Sequence, residues 1–258
     1  MQGANIDGAV IDNPATARLN VFGSLEETEL AGLIKLAGPE RTMTCGEILW
    51  EEGRLLPTLF VLVDGWMSSR RIVGSTREIT TKLHLAGDVL GFPSLAFATA
   101  TETSVALTHV KLRPLALHSL GHLFEAHPRV AAMMFLVSQQ ERVDLLDQLA
   151  LAYTADPTQR LAAFVCRLLQ RVKRSYPETT DSFFLPVTRR HVADIIGATL
   201  PQLAEALKQL RAEDIMGWTD RLLTIVDSEA LVARAGLPTR RLARDVHWLP
   251  AITGDAET

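Results

Sequence analysis

LPVTRRHVADIIGATLPQLAEALKQLR, residues 185–211, is the stretch on which the reading of the whole chain turns. Thr188 is placed to cap a first helix in which Val192, Ala193 and Ile196 share one face. Gly197 follows Ala193 by four positions and supplies a turn. Thr199 then caps a second helix, with Gln202 at its third position as the reciprocal capping partner. Pro201 is tolerated in that first turn, where its missing N–H would have had no acceptor. Leu203, Ala206, Leu207 and Leu210 form the stripe that this helix buries. A small residue, a glycine four later and an apolar residue six beyond it have the spacing of a helix-turn-helix. An ordinary helical hairpin has it too, so these residues alone leave DNA binding and simple packing both open.

Working outward, Ile215 and Trp218 lie before a turn and Leu222, Thr224 and Val226 after it, which predicts a small hairpin beside the helices. Upstream, Asp156-Pro157 starts a helix through RLAAFVCRLLQRVKR, and the polar SYPETTDS links it to the helix pair. Charge divides at the same boundary. The net −4 of the 258 residues argues against nucleic acid until it is split. Residues 1–153 hold 12 basic and 17 acidic side chains, whereas residues 154–250 hold 14 and 11. The half that carries the helix pair is therefore mildly cationic.

From Arg41 to about Leu112 the grammar is different. Short β-branched and apolar runs alternate with Gly46, Gly53, Gly65, Gly74, Gly87 and Gly91, which reads as an antiparallel sandwich or barrel. Before it, residues 1–20 read as a loose tail, and SLEETELAGLIKLAG as a helix with Ser24 as cap and Glu27 three residues on. After it, Pro114 is placed to open a short helix and Pro128 a long one. In the long helix Ala132, Leu136, Gln139, Val143, Leu146, Ala150 and Tyr153 step by four and three, a coiled-coil seam. Met133, Met134, Val137, Leu145 and Leu149 make a second apolar face. Two faces predict two neighbours, its own sheet and the same helix of a second copy. A helix sunk in one monomeric core is the plain alternative.

At roughly 100–200 residues per domain the length suits two domains. A composition 47% hydrophobic and 22% charged excludes disordered, collagen-like and disulfide-scaffold classes. Cys45 and Cys166 lie far apart, which points to a reduced, cytoplasmic chain and falls short of a four-cysteine zinc or iron–sulfur site. The N-terminus has no signal-peptide pattern, and no apolar run approaches the roughly 18–20 residues of a membrane span.

The chain resembles the Crp/Fnr superfamily of bacterial transcription regulators. The resemblance rests on GEILWEEG (46–53), VLVDGWM (61–67), LHLAGDVLGFPSL (83–95), ERVDLLDQLA (141–150), RLAAF (160–164) and LPVTRRHVADIIGATL (185–200), and covers about residues 22–232. It implies an α+β fold: an N-terminal antiparallel β-roll of the double-stranded jelly-roll type, a long central dimerisation helix and a C-terminal winged helix-turn-helix. The implied boundaries are a tail at 1–20, a cyclic-nucleotide-binding-like sensor at 21–127, a dimer helix at 128–153 centred on Leu136, Gln139, Val143, Leu146 and Ala150, a DNA-binding domain at 154–236, and an extension at 237–258 of no assigned role. The implied function is a homodimeric regulator that reads a palindromic operator, with RNA polymerase as a further partner.

The departures from the family are as informative. Members that bind cyclic AMP use a Gly-Glu-Leu cassette and an Arg-Ser pair; the matching positions here are Gly91, Phe92, Pro93, Ser94 and Leu95, then Thr103 and Ser104. With no carboxylate or arginine among them a cyclic nucleotide has no countercharge, and the effector is unknown. The oxygen-sensing branch holds an iron–sulfur cluster on N-terminal cysteines, and residues 1–40 contain none. On the second helix the family's base-reading Glu and Arg positions hold Leu200, Pro201 and Glu205. Leu200 suits a thymine methyl, Glu205 a cytosine amino group, and Gln202, Lys208 and Gln209 are the other polar candidates. Thr188, Arg189, Arg190 and Thr199, with Arg221 in the hairpin, suit phosphates. The alternative is a divergent relative acting as a ligand-sensing or protein-interaction module, with weak or no specific DNA binding.

Other signals carry less. His118 and His122 share a helical face, with His127 nearby, but lack a further ligand and read as surface histidines. No motif singles out a haem ligand. Cys45 has no basic neighbour to activate it, and Arg70-Arg71 reads as a solvated hairpin. No nucleophile–base pair, paired acids or phosphate loop offers residues to an enzyme.

Overall fold

The computed structural model describes residues 18–74, 77–238, 240–243 and 246–250. Most of the tail read at 1–20, and the end of the extension beyond 250, lie outside them.

Helix α1 (Glu27–Leu36) precedes eight strands: β1 (Arg41–Met43), β2 (Ile48–Trp50), β3 (Thr58–Asp64), β4 (Met67–Val73), β5 (Arg77–His84), β6 (Val89–Leu90), β7 (Thr103–Ala106) and β8 (Val110–Ala116). They form two antiparallel four-stranded sheets, ordered β1-β8-β3-β6 and β2-β7-β4-β5. Met43, Leu62, Met67, Leu90, Val110 and Leu112 fill the space between the sheets. The other face of the first sheet is covered by α1, α2 (Leu117–Ala126) and the start of α3 (Pro128–Thr154), through Leu59, Leu115, Leu123, Val130 and Met134.

Three local expectations need correction. The cap of α1 lies two residues beyond Ser24: the Glu29 carboxylate turns back to accept from the Glu26 amide at 2.9 Å, and the Ser24 carbonyl accepts from Arg129. Pro114 opens no helix and lies inside β8, opposite Phe60. It is tolerated at the ragged edge of the sheet: β1 spans only residues 110–112 of β8, and beyond it an isolated bridge joins Ala37 to Leu115 while the Pro114 carbonyl accepts from Gly38 at 2.8 Å. The second apolar face of α3 is divided. Met133 and Met134 are buried on the sheet, while Leu145 and Leu149 are 60% and 53% exposed.

The C-terminal domain begins with α4 (Pro157–Ser175), capped by Asp156 accepting from Gln159 at 2.7 Å. Leu161, Val165, Leu168 and Val172 make its buried stripe. Next come β9 (Ser182–Phe184), α5 (Arg189–Ile196), α6 (Leu200–Ala212), β10 (Met216–Thr219), β11 (Leu222–Ile225) and α7 (Ser228–Ala235). The expected hairpin is part of a three-stranded sheet, because β9, which starts at the last residue of the polar link, pairs with β11 through Phe183 and Phe184. The core of this domain is continuous with Trp66, Leu83, Leu85 and Leu107 of the β-roll, so the two halves share buried apolar surface.

Candidate nucleic-acid interface and interdomain cleft

The helix pair is built as its spacing requires. Thr188 Oγ1 accepts from the His191 amide at 3.3 Å, and His191 Nδ1 accepts from the Thr188 amide, so histidine fills the reciprocal capping place. Gly197 ends α5 in the left-handed region, φ +64°, which a Cβ would strain. Thr199 and Gln202 cap α6 reciprocally, at 3.3 and 2.9 Å. Ala193, Leu203, Ala206 and Leu210 are buried where the helices cross. Leu200, Pro201, Gln202, Glu205 and Lys208 lie together on the exposed face of α6.

Other residues singled out as DNA contacts are engaged within the molecule. The Arg189 guanidinium lies 3.6 Å over the Trp218 ring and donates to the Trp218 carbonyl at 2.5 Å, which fastens α5 to the wing. Arg190 pairs with Asp194 at 3.1 Å, and Asp194 also accepts from the Thr80 amide of β5, so Arg190 belongs to the seam between domains. Gln209 accepts from the buried Thr158 at 2.6 Å. Glu205 and Lys208 stand 3.9 Å apart, a loose exposed pair. Arg221 is at the wing tip, where Asp220 and Arg221 both have positive φ, the geometry of a type I′ hairpin turn. The Leu185 amide donates to the Arg221 carbonyl at 2.7 Å and steadies that strained turn.

Between the roll, α3 and α4 lies a cleft of about 420 Å³. Asp88 forms its centre, 4% exposed. It pairs with Arg18, accepts from Arg171 at 2.6 Å, and lies 3.5 Å from His84 Nδ1, an electrostatic contact rather than a full hydrogen bond. Arg171 also donates to the Leu83 carbonyl, and Ser175 to the Ala86 carbonyl, so α4 is latched to the roll by polar contacts as well as by the shared core. His84 Nε2 is 2.6 Å from Ser69 Oγ, which donates to Glu102 at 2.6 Å. A buried polar chain thus runs from Glu102 in the roll to Arg171 in the C-terminal domain. Burial pushes the Asp88 carboxyl up, but the Arg18 and Arg171 guanidiniums outweigh it and hold it well below the usual range. Burial lowers the His84 imidazole. Glu141 of α3, paired with Arg18 and with Lys82 at 2.9 Å, is held at about 2 by those cations against its burial.

Comparison with known proteins turns this geometry into kinship. A family model described as a Crp-like helix-turn-helix domain matches residues 159–234. The fumarate and nitrate reduction regulatory protein of Yersinia pestis is 26% identical over 226 residues, 85% of this chain and 87% of the relative. Its Escherichia coli K12 counterpart is 26% identical over 227 residues, with the same coverage. Of solved structures, FixK2 from Bradyrhizobium japonicum superposes with a TM-score of 0.69 at 21% identity, over 79% of this chain and 99% of that one. Residues 159–234 thus form a Crp-like helix-turn-helix domain, and most of the chain is similar to Fnr-type regulators.

Against the Crp/Fnr pattern that the sequence resembles, the chain departs from the cyclic-AMP and iron–sulfur designs. The positions matching the nucleotide cassette do not converge. Phe92 lines an apolar cavity against α1 and α3, whereas Pro93 lines the charged cleft. Gly91 has φ +84° and turns the chain beneath Leu56. Ser94 is tied to Thr101, and Thr103 accepts from the Glu52 amide. Ser104 Oγ is buried without a partner. No cation is among them, so they do not fit a cyclic phosphate. Nor do the cysteines fit a cluster: Cys45 is exposed on the roll, and Cys166 is buried in α4 with its thiol pushed up to about 11 by burial. Sequence reasoning missed Arg18, His84, Asp88 and Arg171. Asp88 lay in view inside GDVLGF, but its partners are 70 and 83 positions away.

Proposed function

We propose that this regulator acts as a homodimer on a palindromic operator, with 21–127 as sensor, 128–153 as dimer helix and 154–236 as DNA reader. The observation that carries the dimer is the unpartnered seam on α3: Val143, Leu146, Ala150 and Tyr153 are exposed in heptad register, with Leu146 at 53% and Tyr153 at 83%. A second copy of the helix is the partner that buries such a seam. Two-fold pairing through α3 sets two copies of α6 to read half-sites about one helical turn apart. In this reading Leu200, Gln202, Glu205 and Lys208 face base edges, and Thr188, Thr199 and Arg221 face phosphates. Arg189 acts through Trp218 by holding the wing in place. The signal enters through the roll, without cyclic AMP in the family's pocket.

Selection of genomic fragments bound by the purified protein at physiological salt tests this. A recovered inverted repeat supports it; recovery of no repeat overturns it. One observation favours the second reading, a module that has lost specific DNA binding. The exposed face of α6 and the wing tip carry Lys208, Arg211 and Arg221 against Glu205 and Asp220, so the surplus positive charge with which to displace counterions is small.

A further inference from the structure

The chain runs on beyond the residues that match the Crp-like domain, and this extension returns to the long helix. α7 ends at Gly236, whose φ of +61° turns the backbone out of the helix, and Pro238 follows. Arg240 then reaches back 93 positions and donates to both oxygens of Asp147 on α3, the Oδ1 bond at 2.9 Å. Further on, Val246 is buried at 8% exposure, so the extension is seated on the molecule. Asp147 also pairs with Arg167 of α4 at 3.3 Å, and its side chain is only 16% exposed. Two cations from outside α3 therefore share one carboxylate of the dimer helix.

The place of that carboxylate on the helix matters. In the heptad of the seam Leu136, Val143 and Ala150 are at a, and Gln139, Leu146 and Tyr153 at d. Asp147 is then at e, and Arg142 at the g of the heptad before it. A parallel pair of helices sets the g of one heptad against the e of the partner's next heptad, so Arg142 meets the partner's Asp147. The neighbouring g and e couples, Phe135 with Gln140 and Leu149 with Thr154, carry no charge. Arg142 with Asp147 is thus the ion pair that this register offers across the seam, and a two-fold dimer contains it twice. Resting on the α3 dimer read above, we propose that the C-terminal extension restrains dimerisation, because Arg240 holds the carboxylate that a second copy's Arg142 needs. Arg142 itself is exposed and open to the second copy. A second copy must either displace Arg240 or bring its own guanidinium against it, and both weaken the association. Release of Arg240 strengthens the pairing of the two DNA readers.

Sedimentation equilibrium of the full chain, without DNA, measures the monomer–dimer constant. Arg240→Gln dimerises about threefold or more tightly than the wild type, since an exposed ion pair of ordinary strength counts twice in a two-fold dimer. The gain disappears when Arg142→Gln is added: the double variant dimerises no more tightly than Arg142→Gln alone, because both arginines act through one carboxylate. High salt shrinks the gain by screening the pair. Arg54→Gln, on an exposed pair with Glu51 in the roll, leaves the constant unchanged. Arg240 is half exposed and its loss leaves Asp147 paired with Arg167, so the variant keeps the fold. Unchanged or weaker dimerisation of Arg240→Gln, or a gain that survives in the double variant, overturns the proposal. A dimer that persists in Leu146→Glu overturns the α3 reading and the proposal with it. A dimer lost in Leu146→Glu yet indifferent to Arg240→Gln overturns the role of the extension alone.

Discussion

Replacing Asp88 by alanine tests whether the buried ion cluster holds the two domains in register. Asp88 is the one carboxylate shared by Arg18 of the N-terminal segment and Arg171 of α4, and it also accepts from the Leu85 amide at 3.3 Å. Removing it leaves two guanidiniums facing each other, with only Glu141 to offset Arg18. Breaking a buried pair on one side costs about 3–5 kcal/mol. Arg171, 28% exposed, recovers some hydration, so the lower end applies, about 3 kcal/mol. That corresponds to a melting temperature lower by about 6–12 °C. The sign with pH follows from the depressed carboxyl. The contribution of Asp88 is present above the unfolded carboxylate pKa and is lost as pH falls through the lower folded value. The wild-type protein therefore loses stability on acidification in a limb that Asp88→Ala lacks. Urea unfolding at pH 7 and at pH 3 measures both effects, and limited proteolysis at the 154–157 hinge reports release of the DNA domain. A double-mutant cycle with Arg171→Gln isolates the latch. A loss below about 1 kcal/mol at pH 7, or no coupling in the cycle, would refute the reasoning and mean that the cleft is solvated enough to do without the pair.

Three further outcomes are expected. Glu141, held at about 2 against its ordinary 4.5, stabilises the fold fully above pH 4.5; as pH falls toward 2 a contribution on the order of 3 kcal/mol is lost, so Glu141→Gln flattens acid unfolding over that window. Leu146→Glu places a charge in the exposed seam of α3 and halves the mass measured by light scattering, with little change in helix content; a mass unchanged at micromolar concentration argues that the dimer forms elsewhere. Gly197→Ala puts a Cβ into open space, its nearest neighbour Arg160 Nη1 at 3.7 Å, so the cost is backbone strain alone, about 1 kcal/mol, visible as a melting temperature lower by about 2–4 °C.

The helix-turn-helix was legible because its signals are local. Thr188, Gly197 and Thr199 act on backbone within four residues of themselves, and the stripe of α6 repeats at helical spacing. The long helix α3 was legible for the same reason. Pro114 misled because proline is tolerated both at a helix start and at the edge of a sheet, and only the pairing of β8 with β3 decides between them. The candidate contacts suffered likewise. Arg189, Arg190 and Gln209 have the side chains that DNA phosphates and bases attract, but Trp218, Asp194 and Thr158 meet them first. Among ten residues in a row nothing distinguishes an arginine on a free face from one folded against a tryptophan 29 positions on.

The sequence by itself determined the order of the parts: an antiparallel roll, a long two-faced helix, and a capped helix pair with a hairpin. Periodicity, caps and glycine turns are properties of short windows, and a short window suffices to read them. The tertiary structure alone decided where the charges meet. Arg18, Lys82, Asp88, Glu141, Arg171 and Arg174 come from five separate segments, and their ionisation depends on distances and burial that no window contains. Coulomb energy follows separation in space rather than along the chain. A region that sums to a modest excess of acid therefore contributes, once folded, Arg18 and Lys82 to the cluster that holds Asp88 and Glu141.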